Sequence, residues 1–495
     1  MKTLLLLLVS LLANLPLVPY PASVNQKSGI CRNPSNVIYR EKPSLGSEEY
    51  ALDIRSGRII ISYSSAAGRF YAQQTLRQLS LIEGGIPCCE IKDVPRYAYR
   101  GVLLDCARHF YSVEEVKEFI DILSFHKVNR LHWHLTDDHG WRIEIKKYPE
   151  LVNVGAFGNV GSREDLDPKA PYPSKYEGYY SQDEIRDIVA YAAARAITIV
   201  PEIDLPGHMT AAMAAYPFLG CTGGPYEVTT ALKPRGMGLC RDSLCPGKES
   251  TFEFIQDVLL EVMELFPGEY IHLGGDECIK DRWKECEDCR NLVAKLGLEP
   301  TEENDEWQQL EVWMINRLAD FLASAGRRAI GWDEILDGDL GRNATVMSWR
   351  GTDTGIRAAR RGYDVIMSPE KHCYLDYAQS RDPHEPQAFA GTVTLDDVYD
   401  YEPETGLTAG QAVRVLGVQG NMWCNVTGSR ELLEYMLLPR LAALSEVQWC
   451  GPDNKDFARF KSAMNTLRRY YDANGYVYAR HLWGIIGLPG HEFYL

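Results

Sequence analysis

Past residue 97 the chain alternates short apolar runs with longer stretches in which apolar side chains recur every three or four positions. The short runs predict strands at 101–105, 130–136, 198–204, 270–275, 328–332, 345–349, 364–367 and 415–419. Between them the helical period predicts helices at 113–126, 183–194, 251–265, 308–325 and 355–361. Strand and helix alternate eight times, which predicts parallel pairing and an α/β fold: a closed (β/α)8 TIM barrel over residues 97–450. Ahead of it, alternating strands at 50–54 and 58–63 and a helix at 66–81 predict a small α+β domain, residues 24–96, packed on the barrel. Behind it, residues 451–495 open with an amphipathic helix at 456–471 and close in a Gly/Pro-rich tail.

The first residues change the picture at one end. Met1-Lys2 and an apolar run through Leu12 are followed by small residues at Ala13 and again at Ala22-Ser23. The run is too short to cross a bilayer comfortably and reads as a signal peptide, so residues 1–23 are expected to direct export to the periplasm or beyond. No later segment is apolar enough to span a membrane. The charge, 52 Lys+Arg against 68 Asp+Glu for a net −16 without a basic cluster, argues against nucleic acid as a partner and leaves the oligomeric state open. Of the 13 cysteines, Cys278, Cys286 and Cys289 lie together, as do Cys240 and Cys245. A zinc site calls for a second close pair beside Cys286-x-x-Cys289, so no metal is expected, and disulfides and buried thiols both remain open.

Catalytic groups of a barrel sit at the C-terminal ends of its strands. Here those ends read Asp105 to Arg108 and His109, His132 to Asp137-Asp138, Glu202 to Asp204 and His208, then Asp276-Glu277. Trp332, Trp349, Tyr374 with Asp376, and Trp423 complete the ring. Adjacent carboxylates at a barrel mouth suit glycoside cleavage, which needs one acid for the leaving oxygen and a second group beside a cationic centre. The aromatic surplus, 28 Tyr and 10 Trp against 14 Phe, fits a cleft that stacks on sugar faces and bonds hydroxyls. His132 and His134 alternate on one strand face and are read as packed, hydrogen-bonded histidines rather than metal ligands.

The stretches His132-Trp-His-Leu-Thr-Asp-Asp-His-Gly-Trp-Arg142, Glu202-Ile-Asp-Leu-Pro-Gly-His208 and His272-Leu-Gly-Gly-Asp-Glu-Cys278 resemble the family 20 glycoside hydrolases, the β-N-acetylhexosaminidases. That resemblance implies an exo-acting, retaining enzyme in which the substrate's own 2-acetamido oxygen attacks the anomeric carbon and forms an oxazolinium. On its pattern Glu277 is the acid/base, Asp276 holds the acetamide N–H, Tyr374 donates to the acetamide oxygen, and Asp137 and His208 form a relay behind Glu277. Trp332, Trp349 and Trp423 match the pocket walls, and Arg108 and Asp376 match groups that bond sugar hydroxyls. The implied partner is a glycan ending in N-acetylhexosamine, and no cofactor is implied. One position departs: where the family usually has a Glu two residues after the strand-eight Trp, this chain has Asn425, which predicts tolerance of a substituent such as a 6-sulfate or a disaccharide terminal unit.

Overall fold

The computed structural model describes residues 14–32, 36–157, 177–229 and 240–494. Its centre is a closed barrel of eight strands. In chain order they are Tyr99–Asp105, Arg130–His134, Thr198–Leu205, Tyr270–Gly274, Arg328–Trp332, Ala344–Ser348, Val365–Met367 and Val415–Met422. Each pairs in parallel with the next, and the last closes on the first with Gln419 opposite Gly101 and Met422 opposite Leu104. Every residue of the first and fourth strands is buried, which is why they read as unbroken apolar runs and not as alternation. The helices start where side chains cap them: Ser112 with Glu115, Ser181 with Glu184, and Asp305 with Gln308 each form reciprocal capping boxes.

The barrel lumen is polar in its upper half. Glu202 on the third strand lies 3.1 Å from His132 Nε2 and 2.8 Å from His272 Nδ1, accepts from Trp332 Nε1 at 2.9 Å and, closer still, hydrogen-bonds His134 Nδ1. All of these side chains are buried, so the carboxylate finds its compensation in the ring nitrogens around it, two of which hydrogen-bond it. The histidines are thus packed and hydrogen-bonded, as their alternation on one strand face predicts.

The small domain is larger than the sequence reading. Its sheet has five strands, in the order Ser23–Cys31, Ile86–Asp93, Tyr50–Arg55, Arg58–Tyr63, Val37–Glu41, with the helix Ala66–Leu79 on one face. The two outer strands are mostly exposed and carry too little apolar alternation to be seen in the sequence. The domain grips the barrel away from the catalytic ends: Arg100 forks onto Glu48 at 2.8 and 2.9 Å, and Trp449 Nε1 and Lys127 Nζ reach Asp93 at 2.8 and 3.0 Å.

Residues 14–22 belong to this packing too. Leu15, Leu17 and Val18 are buried, and Val18 exchanges two backbone bonds with the Gln78 amide at 2.9 and 2.6 Å. Tyr20 N donates to Glu446 at 2.9 Å. The apolar run itself, through Ala13, lies outside the described residues. Among the described residues no helix is long and apolar enough to cross a membrane.

Candidate active site

The strand ends converge on one cleft. His208, three residues past the third strand, stands between two pairs of acids. Its Nδ1 lies 3.2 Å from Asp137 and 3.5 Å from Asp138, and its Nε2 lies 3.7 Å from Asp276 and 3.5 Å from Glu277. Burial opposes a charge on this imidazole, but the Asp137 and Asp204 carboxylates outweigh it and hold its pKa well above the usual histidine value. Asp137 sits in a two-residue hairpin (Thr136–Asp137 against Gly140–Trp141) that turns its side chain inward. It also pairs with Arg108 Nη2 at 2.6 Å and His139 Nδ1 at 2.7 Å. Burial would raise its pKa, and Arg108 and His208 instead drive it well below the normal carboxylate range.

The backbone is strained at two of these residues. Glu277 has φ +50° and His208 φ +52°, the left-handed region that costs a side-chain-bearing residue about 1–3 kcal/mol. Gly274 makes the approach possible, since a Cβ there would fall 1.8 Å from Asp204 Oδ1. Glu277 is the more open of the pair, 38% exposed against 13% for Asp276. Burial, helped by Glu202 and Glu277, raises the pKa of Asp276, while His208 pulls it down. Asp276 Oδ1 is buried with no hydrogen-bond partner among the described residues, and so are both oxygens of Asp204 and of Asp376.

On the opposite wall Trp349 and Tyr374 stack with centroids 6.3 Å apart, and Trp423 lies 5.7 Å from Trp332 and 5.0 Å beneath the Arg108 guanidinium. Trp349 and Trp423 are half-buried and open to the cleft, whereas Trp332 is 1% exposed and forms the floor, tied to Glu202. Tyr374 is held beside the eighth strand by a parallel bridge to Asn421, and burial raises its hydroxyl pKa well above the usual value. Asp376 follows it, pushed by burial to about 8 against the pull of Arg440. Asn425 stands apart, half-buried on the segment after the eighth strand.

Several supporting residues carry no role in the sequence reading. Glu202 and Asp204 are visible there as strand-end acids, but only the geometry makes one the anchor of three histidines and the other a carboxyl that supports the His208 charge with no hydrogen-bond partner among the described residues. Glu334 accepts the Trp349 indole N–H at 3.0 Å, and Asp333 takes Trp349 N and Arg350 N at 3.0 and 3.2 Å, locking the fifth and sixth strand ends together. Arg440 donates to the carbonyls of Leu375, Tyr377 and Val393 at 2.7–2.9 Å and so buttresses the Tyr374–Asp376 segment. The adjacent acids after the fifth-strand Trp332 are the one sequence signal for Asp333 and Glu334.

The family model for the catalytic domain of glycosyl hydrolase family 20 matches residues 97–452, and that for domain 2 of the same family matches residues 10–94. The chain belongs to glycosyl hydrolase family 20. The family's domain 2 begins before residue 14, in keeping with the packed segment 14–22. Among this family member's relatives are a beta-hexosaminidase of Porphyromonas gingivalis, 44% identical over 88% of this chain and 55% of its own length, and one of Akkermansia muciniphila, 30% identical over 92% and 90%. The chain thus spans about half the length of the first of them. Solved structures similar to it include a GH20 exo β-N-acetylglucosaminidase of Vibrio harveyi with N-acetylglucosamine bound (TM-score 0.84, 30% identity, 95% of this chain and 79% of that one). A β-N-acetylhexosaminidase of Bacteroides fragilis is comparable (TM-score 0.80, 31% identity, 93% and 96%).

Proposed function

We propose that this glycoside hydrolase removes terminal β-linked N-acetylhexosamine from glycans, acting at the chain end with retention through an oxazolinium intermediate. The observation that carries the reading is the Asp276–Glu277 pair at the mouth, with His208 and Asp137 charged behind it and no second exposed carboxylate posed as a nucleophile among the described residues gathered there. Glu277, the open member, gives its proton to the leaving oxygen. Asp276, the buried member, accepts the acetamide N–H and offsets the charge that grows as the acetamide oxygen attacks; burial of its carboxylate makes that attraction strong. The Tyr374 hydroxyl donates to the same oxygen and fixes its line of approach. Trp332, Trp349 and Trp423 give the sugar an apolar bed, and Arg108 and Asp376 meet its hydroxyls.

The test is proton NMR of the first product anomer on an aryl N-acetyl-β-glucosaminide, with Glu277→Gln alongside. The β-anomer should appear first, and the variant should lose about 10²–10⁴-fold in kcat. Initial release of the α-anomer, or a variant within tenfold of wild type, refutes the reading.

Asn425 supports a second, narrower reading: a neutral amide at this rim position accommodates a 6-sulfated sugar. Export remains part of the proposal, with processing at Ala13 rather than Ala22-Ser23, because residues 14–22 fill the contact with the barrel.

A further inference from the structure

Away from the catalytic cleft, the structure gathers four cysteines that the sequence scatters. The Sγ atoms of Cys221, Cys245, Cys286 and Cys289 all lie within 4.8 Å of one another. Cys221 and Cys289 are 3.8 Å apart, Cys245 and Cys286 3.8 Å, and Cys245 and Cys289 3.5 Å. These separations are far beyond the ~2.05 Å of a disulfide. They match the edge of a tetrahedron: with Zn–S bonds of about 2.3 Å, four thiolates sit about 3.8 Å apart.

The surroundings are built for thiolates. Cys286 is the N-cap of the helix Glu287–Leu296 and Cys289 lies in its first turn, where free amide N–H groups favour negative sulfur. The Cys245-Pro-Gly247 turn lies flat on that helix start, since a Cβ at Gly247 would be 2.5 Å from the Asp288 carbonyl carbon. Through this turn the Gly247 N–H bonds the Cys245 sulfur. Trp283, Trp307 and Leu310 wall the cluster with apolar surface. Lys248 crosses it to the Phe218 and Gly220 carbonyls at 3.1 and 2.8 Å, binding the two loop halves.

We propose that Cys221, Cys245, Cys286 and Cys289 bind one zinc ion as a structural site of four thiolates. Two ligands come from the loop after the third barrel strand and two from the loop after the fourth, the loops that carry His208 and Asp276–Glu277. The ion therefore joins these two loops to each other. The pairing with Leu244 N on Pro206 O at 2.9 Å and Trp283 Nε1 on Leu244 O at 2.9 Å passes that restraint inward. The inference stands whatever sugar the cleft takes. Sequence spacing alone argued against it, because Cys221 and Cys245 are not a close pair.

The experiment is metal analysis of the full chain produced in zinc-supplemented medium and dialysed without chelator, with native and denatured intact mass. The expected result is one zinc per chain, released when the thiols are titrated with a mercurial. Cobalt(II) in place of zinc should give the thiolate charge-transfer and ligand-field bands of a tetrahedral sulfur site. Cys245→Ser and Cys289→Ser should lose the metal and lower Tm, while Cys88→Ser in the small domain keeps it. A chain without stoichiometric metal, a mass two or four hydrogens light that marks disulfides, or a Cys289→Ser variant that retains its zinc would each overturn the proposal. The wild-type metal content and cobalt spectrum decide it even where a variant fails to fold.

Discussion

Replacing Asp137 by Asn keeps the size of a side chain that no solvent reaches and removes the charge that organises the cleft. Its Oδ2 lies 2.6 Å from Arg108, 3.2 Å from His208 and 3.5 Å from His134. With an effective dielectric near 20, a pair at His208's distance is worth about 5 kcal/mol gross. Asp138 at 3.5 Å and the Asp204 carboxyl remain, so the His208 pKa should fall from its raised position without losing all of its support. The variant also leaves Arg108, which is buried, without its nearest anion; breaking such a pair costs about 3–5 kcal/mol. Two assays read these effects: ¹⁵N NMR titration of the histidines, with His208→Gln assigning the resonance, and urea unfolding at neutral pH. An unmoved His208 titration together with a stability loss under about 1 kcal/mol would falsify the electrostatic account.

Burial holds His126 at a pKa of about 3, whereas the unfolded chain protonates near 6.5, so the unfolded state binds the extra proton. Stability should therefore fall as pH drops from about 6.5 toward 3, by up to about 1.4 kcal/mol per unit, and the slope in wild type minus that in His126→Gln isolates the effect; identical slopes contradict it. A chain starting at Val24 should be less stable than one starting at Asn14, since it loses Leu15, Leu17 and Val18 from the core at about 2 kcal/mol each. Denaturant unfolding compares the two, and a difference under about 1 kcal/mol would show the segment to be idle. Asn425→Glu should cut hydrolysis of a 6-sulfated aryl N-acetylglucosaminide by more than about tenfold, by like-charge repulsion, and leave the unsulfated substrate nearly unaffected. Equal effects on both substrates count against the Asn425 reading.

How much of this was legible in the sequence follows from which residues carry a local signal. Barrel strands buried on both faces, such as Tyr270–Gly274, stand out as apolar runs, and the observed bounds differ from the predicted ones by only a few residues. Strands such as Val37–Glu41 are exposed on an edge and show no such run. The acids at the strand ends were visible, but what Glu202 does depends on His132, His134, His272 and Trp332 from three other strands, a convergence that only closure of the barrel creates. The four-cysteine cluster was hidden for the same reason, because two neighbouring loops supply its halves. Residues 14–22 misled in the opposite direction, since an apolar leader and an apolar packing strap have the same composition.

The central claim is that the substrate's acetamide, held by Asp276 and Tyr374, is the nucleophile and Glu277 the acid. Its most direct test is kcat/KM on aryl β-glucosaminides whose 2-N-acetyl group carries zero, one, two or three fluorines. Each fluorine drains charge from the acyl oxygen and leaves the leaving group alone, so the account predicts a steep, monotonic fall along the series in wild type. A flat series would mean that the acyl oxygen does not attack, and would contradict the account.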